Sequence, residues 1–361
     1  MMRYQFDMDS SPQILGIAIA VIFLVLAPGC KHAETQEHRV NPTIIPQIKS
    51  FSRSGLTQAS FVVETSRELR ITTDGGLNWN VIPPAAVEDA FEAVTMLDAN
   101  RGWAINHAGH VFATQSGGAN WTKISELKDF TCSNQIEFLN ETDGWIRECL
   151  SIRRTRDGGV TWREMLSTVT PGVSGQLSDM FVFDANMVIA SGSGAQLYLT
   201  KDGGETWRIN SPLAGDHIEF NDVWFTDRMH GWLAGYQVVV TGELSRPLLL
   251  QTTDGGDSWK EVSVDGEMRL SSVCFVGADG WVTGTRRIVN GDAVSLEGVL
   301  LHTLDGGKSW KQVPLGPDQP FLTEVRFVDK ERGWVVGRDS LFRTDDSGKT
   351  WNRVLSLPPL R

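Results

Sequence analysis

The chain lacks an excess of positive charge: 33 Lys and Arg stand against 44 Asp and Glu, for a net charge of −11. A nucleic-acid binder needs a basic footprint, so this balance argues against one. Net negative charge instead suits the solubility of an exported protein. A long hydrophobic run is also missing. The run Ile14 to Ala27 is unbroken, yet a spanning helix needs about 20 apolar residues. Its length fits the core of an export signal, about 7 to 15 residues. Tyrosine is scarce, with three residues, and cysteine is limited to four. What is abundant is glycine, 36 residues, and tryptophan, 13 residues. That pairing points to many tight turns and one recurring aromatic packing device. With 41% apolar and 21% charged residues, the composition is that of a folded soluble domain.

The N-terminal segment carries Arg3 as its only basic residue ahead of the apolar run, opposed by Asp7 and Asp9. The run ends in Ala27-Pro28-Gly29-Cys30, which resembles a bacterial lipoprotein signal in which a small residue precedes a lipid-receiving cysteine. Leu26 sits one place early for that pattern, and Pro28 is unusual in it. The expected organisation is a signal peptide over 1–29, a lipid-attached tether over 30–46 beginning at Cys30, and a folded domain over 47–361. Lys31 to Pro46 is polar with two prolines, as a tether would be.

The folded part is built on an octad, Thr-x-Asp-x-Gly-x-(Thr/Ser/Asn)-Trp, that occurs seven times. Its third position holds Asp74, Ser116, Asp157, Asp202, Asp254, Asp305 and Asp346. Its last position holds Trp79, Trp121, Trp162, Trp207, Trp259, Trp310 and Trp351. An Asp carboxylate accepts hydrogen bonds from backbone N–H groups further along and closes a turn. Glycine supplies the positive φ that such a turn requires. The Thr hydroxyl braces the carboxylate, and the Trp ring fills the space between neighbouring sheets. These aspartates therefore read as turn locks rather than catalytic groups, because a carboxylate occupied by N–H donors is a poor acid, base or metal ligand.

The closing tryptophans are spaced by 42, 41, 45, 52, 51 and 41 residues. A period near 40 with alternating flanks predicts four short strands per repeat, one blade of a propeller. A second signature, Gly-Trp, lies upstream at Gly102-Trp103, Gly144-Trp145, Gly231-Trp232, Gly280-Trp281 and Gly333-Trp334. Asn186-Met187-Val188 takes its place in the fourth repeat. In the first, Phe61-Val62-Val63 reads as the second strand. The expected fold is all-β, a seven-bladed propeller of four-stranded blades with Asp-box turns. The blades fall at 47–82, 90–124, 131–165, 176–210, 219–263, 269–314 and 321–356. No WD dipeptide with its paired Gly-His is present, which sets the ring apart from WD40 propellers.

The combination of a Gly-Trp strand with a box such as Thr252-Thr253-Asp254-Gly255-Gly256-Asp257-Ser258-Trp259 resembles the photosystem II stability/assembly factor family. The resemblance covers nearly all of the chain after Cys30. It implies a seven-bladed ring, a lipoprotein in the cyanobacterial members, and a non-catalytic role in binding a reaction-centre subunit. No cluster of this sequence matches a partner site of the family residue by residue, so none is carried over.

Strands that alternate in direction divide the turns between two faces. The Asp boxes share one face with the turns between first and second strands. The turns between second and third strands lie on the other, and there the length varies. Enlarged loops are expected at Thr241 to Pro247 and at Arg286 to Asp292, which account for the two long spacings. Long loops on a rigid ring are where binding resides. The candidate partner face therefore includes Arg246, Arg286, Arg287 and Arg338. Cys132 and Cys149 bracket one hairpin on this face, and their placement fits a disulfide. Cys274 is left as a small packed side chain. His107 and His110 form a weak metal pair with no third ligand, and Arg153, Arg154 and Arg156 read as a solvated strand face.

Three functions fit with different ease. The first is an exported, membrane-anchored scaffold that binds a membrane or envelope protein, for which the resemblance implies a photosystem II reaction-centre subunit. The second is a generic cell-envelope interaction lipoprotein in a non-phototroph. The third is a glycoside hydrolase of sialidase-like type, which would need an arginine triad and a Tyr nucleophile. Beyond the signal only Tyr198 and Tyr236 remain, and no Arg-Ile-Pro motif occurs. The expectation is a non-enzyme with no cofactor, no metal and no nucleic-acid partner, located in the cell envelope on the periplasmic or thylakoid-lumen side.

Overall fold

The computed structural model describes residues 48–357 except 55–57, 64–67, 84–89, 170–174, 216, 241–243, 291–292 and 317–320. The signal segment, Cys30 and the tether lie outside the described residues. The described residues form 28 strands in seven antiparallel four-stranded sheets, each made of four strands consecutive in sequence. The architecture is the expected seven-bladed propeller, with every sheet within two residues of the blade limits read from the repeats. The first strands of successive blades touch one another around the axis. In every blade the pairing of first and second strands slips at a bulge in the first strand or opposite its end.

How the ring closes was not legible in the repeats. Among the described residues no strand is lent from one end of the chain to the other. Blades seven and one are joined by packing: Phe61, Val63, Trp334, Leu341 and Leu357 share one buried cluster. The Ile48 N–H donates to the Arg338 carbonyl at 2.8 Å, and Arg343 Nη1 donates to the Gly75 carbonyl at 2.9 Å.

The two tryptophan signatures meet on a single phenylalanine. Trp103, Trp232 and Trp281, each from a Gly-Trp pair, stack on Phe138, Phe275 and Phe327 of the next blade, with centroids 3.7, 3.9 and 3.5 Å apart. The Asp-box tryptophan of that next blade then meets the same ring edge-on: Trp162 on Phe138, Trp310 on Phe275, Trp351 on Phe327. Aromatic pairs of this geometry contribute about 0.5–1.5 kcal/mol beyond the area they bury.

The glycine of each pair has a steric cause. Gly231, Gly280 and Gly333 lie opposite Phe225, Phe275 and Phe327. A Cβ at Gly231 would stand 2.5 Å from the Phe225 ring. In blade four Val188 and Ile189 take the Gly-Trp places, one step later in the strand than the sequence reading. Val188 faces Val182 there instead of a phenylalanine. Valine on both strands replaces glycine beneath an aromatic ring.

The Asp box forms as its chemistry dictates. In blade one the Thr72 hydroxyl donates to Asp74 Oδ1 at 2.8 Å and accepts from the Gly76 N–H at 2.9 Å. Asp74 Oδ1 accepts from the Asn78 N–H at 2.9 Å, and Oδ2 accepts from Asn78 Nδ2 at 2.8 Å. These donors hold the carboxyl near 2, the Asn78 N–H contributing most. The same set recurs around Asp157, Asp202, Asp254, Asp305 and Asp346. Ser116 has one oxygen where the others have two. It still accepts from the Asn120 N–H at 2.9 Å. The N–H of the fourth residue of the box, Gly158 for example, donates to the turn carbonyl of Thr142 in the same blade, which places both turns on one face.

Candidate partner-binding surface

The opposite face departs from sevenfold regularity at blades five and six. The sequence reading expected enlarged loops there, and the structure corrects this: the insertions are continuations of the strands. In blade five the second and third strands run Gly231–Val240 and Leu244–Thr252. In blade six they run Asp279–Asn290 and Ala293–Thr303. The other blades use four to six residues for these strands. Val238-Val239-Val240 and Ile288-Val289 are β-branched runs that continue a ladder readily. Cross-strand pairs persist to the tips, as in Gln237 with Arg246 and Arg287 with Leu296.

The candidate arginines share this face but do not converge. Arg246 pairs with Glu261 and donates to Gln237 Oε1 at 3.2 Å, on the side of the blade-five hairpin that looks toward blade four. Arg286 pairs with Glu297 at 2.8 Å on the side of blade six that looks toward blade five. Arg287 lies on the reverse side of the same hairpin. Arg338 sits in the short turn of blade seven, where its carbonyl receives the Ile48 N–H. Between the hairpins Arg269 lies over the Tyr236 ring at 4.8 Å and donates to Ser245 Oγ at 3.0 Å. Exposed pairs of this kind contribute little to stability, so the hairpins present charge without depending on it.

A polar cluster at the axis went unrecognised in the sequence. Asp179, Asp222 and Ser272 follow the bulges of three first strands, and each accepts from a backbone N–H of the next blade: Val223, Val273 and Val325. Gln135 Oε1 does the same for Met180. Arg326 reaches from blade seven to both oxygens of Asp222 in blade five, at 2.9 and 3.0 Å, and donates to Ser272 Oγ at 2.7 Å. Burial pushes the Asp179 carboxyl up to about 8, reinforced by the adjacent Asp222 carboxylate and opposed by Arg326 and Arg147. The available signal was a polar residue at the same inner-strand register in four successive blades.

The remaining candidates have local partners. Cys132 and Cys149 are disulfide-bonded with Cα atoms 5.7 Å apart, and Cys274 is buried and free. His107 faces Glu92 at 3.3 Å and His110 faces Glu126 at 3.5 Å. Arg153 binds Glu148 at 2.6 Å. Arg154 is not on a solvated face. It is buried over Trp145 and bound to both oxygens of Asp143 and to the Gly203 carbonyl, which bridges blades three and four. Tyr198 is buried and donates to Gln196.

A family model described as "Photosynthesis system II assembly factor YCF48" matches residues 212–321. The photosystem II assembly lipoprotein Ycf48 of Synechococcus sp. (strain CC9902) is 32% identical over 138 residues, 36% of this chain and 35% of that protein. The matched part thus spans about a third of that relative. The chloroplastic photosystem II stability/assembly factor HCF136 of Arabidopsis thaliana is 25% identical over 311 residues, 78% of this chain and 71% of its own length. Among solved structures, "YCF48 bound to D1 peptide" superposes with a TM-score of 0.65 at 18% identity, covering 84% of this chain and 94% of that one. At that identity the superposition speaks for the fold alone.

Proposed function

We propose, for a chain related to the photosystem II stability/assembly factors, that it is an exported, membrane-anchored and non-catalytic scaffold that holds a photosystem II reaction-centre subunit during assembly. The main support is the coincidence of two observations. Residues 212–321, matched by the family model, are blades five and six, and these blades carry the only long hairpins among the described residues. One similar solved propeller is described with a D1 peptide bound, which makes D1 the first partner to test. A non-catalytic role agrees with the chemistry at hand. The Asp-box carboxylates are occupied by their own turns, Tyr198 is buried, and Tyr236 lies under Arg269. An oxidising compartment outside the cytoplasm agrees with the Cys132–Cys149 bond.

The test is a pull-down from solubilised host membranes with the full chain as bait, read by mass spectrometry. Recovery of D1 or its precursor is the expected result. Recovery of other envelope proteins without any photosystem component would leave the scaffold and remove the photosynthetic assignment.

A further inference from the structure

Large apolar side chains exposed among the described residues number twelve. Single ones on a surface need no explanation, but three of the twelve adjoin one another at the blade-six tip, and a fourth lies at the tip of blade five. Val239 is 56% exposed, Val289 56%, Val294 54% and Leu296 60%. Val289 and Val294 are directly opposite in the ladder, and Leu296, opposite Arg287, lies two residues further on the same side. That side looks toward blade seven, because Leu300, in the same alternation, packs with Leu322, Val325 and Val335 of that blade. The second strand of blade seven stops at Gly337, so the blade is too short to cover the tip above it. Phe321, 38% exposed, lies on the same face at the entry to blade seven.

The position of the chain's entry to the ring gives this face a direction. Ile48 opens the first strand on the hairpin face and is bonded to the Arg338 carbonyl of blade seven, beside the uncovered side of blade six. Upstream lie Cys30 and the apolar run from Ile14 to Ala27. Cys30 is 18 positions before Ile48, a reach of at most ~60 Å when extended. The other face also exposes Leu77, Val160, Met229 and Leu304, but singly, one in each of four blades. Asp74, Asp98, Asp202, Asp254 and Asp346 there are held near 2 by their hydrogen bonds. They remain ionised at any physiological pH, and a dense carboxylate layer is kept from an anionic lipid surface by repulsion and hydration.

We propose that the long hairpins are a membrane-contact device, with Val239, Val289, Val294 and Leu296 lowered into the headgroup layer and the Asp-box face turned away from the bilayer. This rests on the anchoring assigned above. Short apolar protrusions partition into the interface when a second element already holds the protein there.

The test uses the full chain reconstituted into vesicles of phosphatidylcholine and phosphatidylglycerol. Leu296→Cys and, separately, Val294→Cys carry an environment-sensitive fluorophore, and Leu304→Cys on the Asp-box face is the control. Cys274 is buried and Cys132 and Cys149 are bonded, so none of them takes the label. Lipids with a spin label near the headgroup should quench positions 296 and 294 several-fold more than position 304. Flotation with the vesicles but equal, weak quenching at all three positions would overturn the proposal and leave the anchoring intact. Failure to float would remove the anchoring and the proposal together. Label self-quenching at 296 without vesicles would assign the tip to a second copy of the chain and likewise overturn it.

Discussion

The two faces of the ring differ in kind. On the Asp-box face, six turns repeat one hydrogen-bond pattern in which the carboxylate is satisfied within its own turn, and the turn of Ser116 repeats part of it. On the hairpin face, five blades turn back early and two extend by several residues, with apolar tips and paired charges left in solvent. The first face contributes to stability through closed local bonding, whereas the second projects groups whose removal leaves the fold unchanged. Substitutions can therefore separate the two: those in the repeating part should alter stability and leave binding alone, and those at the hairpins should do the reverse.

The largest effect belongs to the aromatic stacks behind the Asp-box turns. Trp281→Ala removes a fully buried ring between blades six and seven and should cost about 3–5 kcal/mol in denaturant unfolding. Gly231→Val places a side chain against the Phe225 ring and should cost about 1–3 kcal/mol. Adding Phe225→Val recreates the Val182–Val188 pairing of blade four, and a double-mutant cycle should recover a large part of the loss. Additive losses would show that the glycine is retained for another reason.

Smaller effects follow in the turns and at the axis. Asp254→Ala should cost about 1 kcal/mol, and Ser116→Asp should add a few tenths to about 1 kcal/mol, by completing the bonds of the second box. Asp179 supplies a pH dependence of known sign. Its folded-state value, about 8, lies above the ordinary value near 4 of an unfolded chain. The folded protein therefore binds the extra proton between those values, and stability falls as pH rises through that window. Asp179→Asn mimics the protonated form and should flatten the fall, measured as the melting temperature across pH 4–8. The smallest expected change in stability is at the hairpins. Arg246→Glu should stay within about 0.5 kcal/mol of the parent while weakening partner binding.

The repeat made most of this architecture readable in advance. Asp, Gly and Trp at fixed offsets each answer to a local steric or hydrogen-bonding need, so seven boxes predicted seven blades and their limits. The hairpins were harder. Val238-Val239-Val240 and Ile288-Val289 carry a strand signal, but the turn residues around them suggested loops, and cross-strand pairing decided the outcome. The axial cluster was hidden for a different reason. Arg326 and Asp222 are 104 residues apart and meet only because the ring closes, which no local pattern encodes. Arg154 was misread because its Asp143 partner sits in the turn that precedes the neighbouring strand and its Gly203 partner on the next blade.

The most direct measurement is a calorimetric titration of the full chain, held in detergent, with a D1 peptide, comparing the parent, Arg246→Glu with Arg287→Glu, and Lys308→Glu on the Asp-box face. The account predicts that the parent and Lys308→Glu bind alike and that the hairpin double variant binds several-fold more weakly with an unchanged melting temperature. Equal binding by all three, weakening only in Lys308→Glu, or no binding by the parent would contradict it.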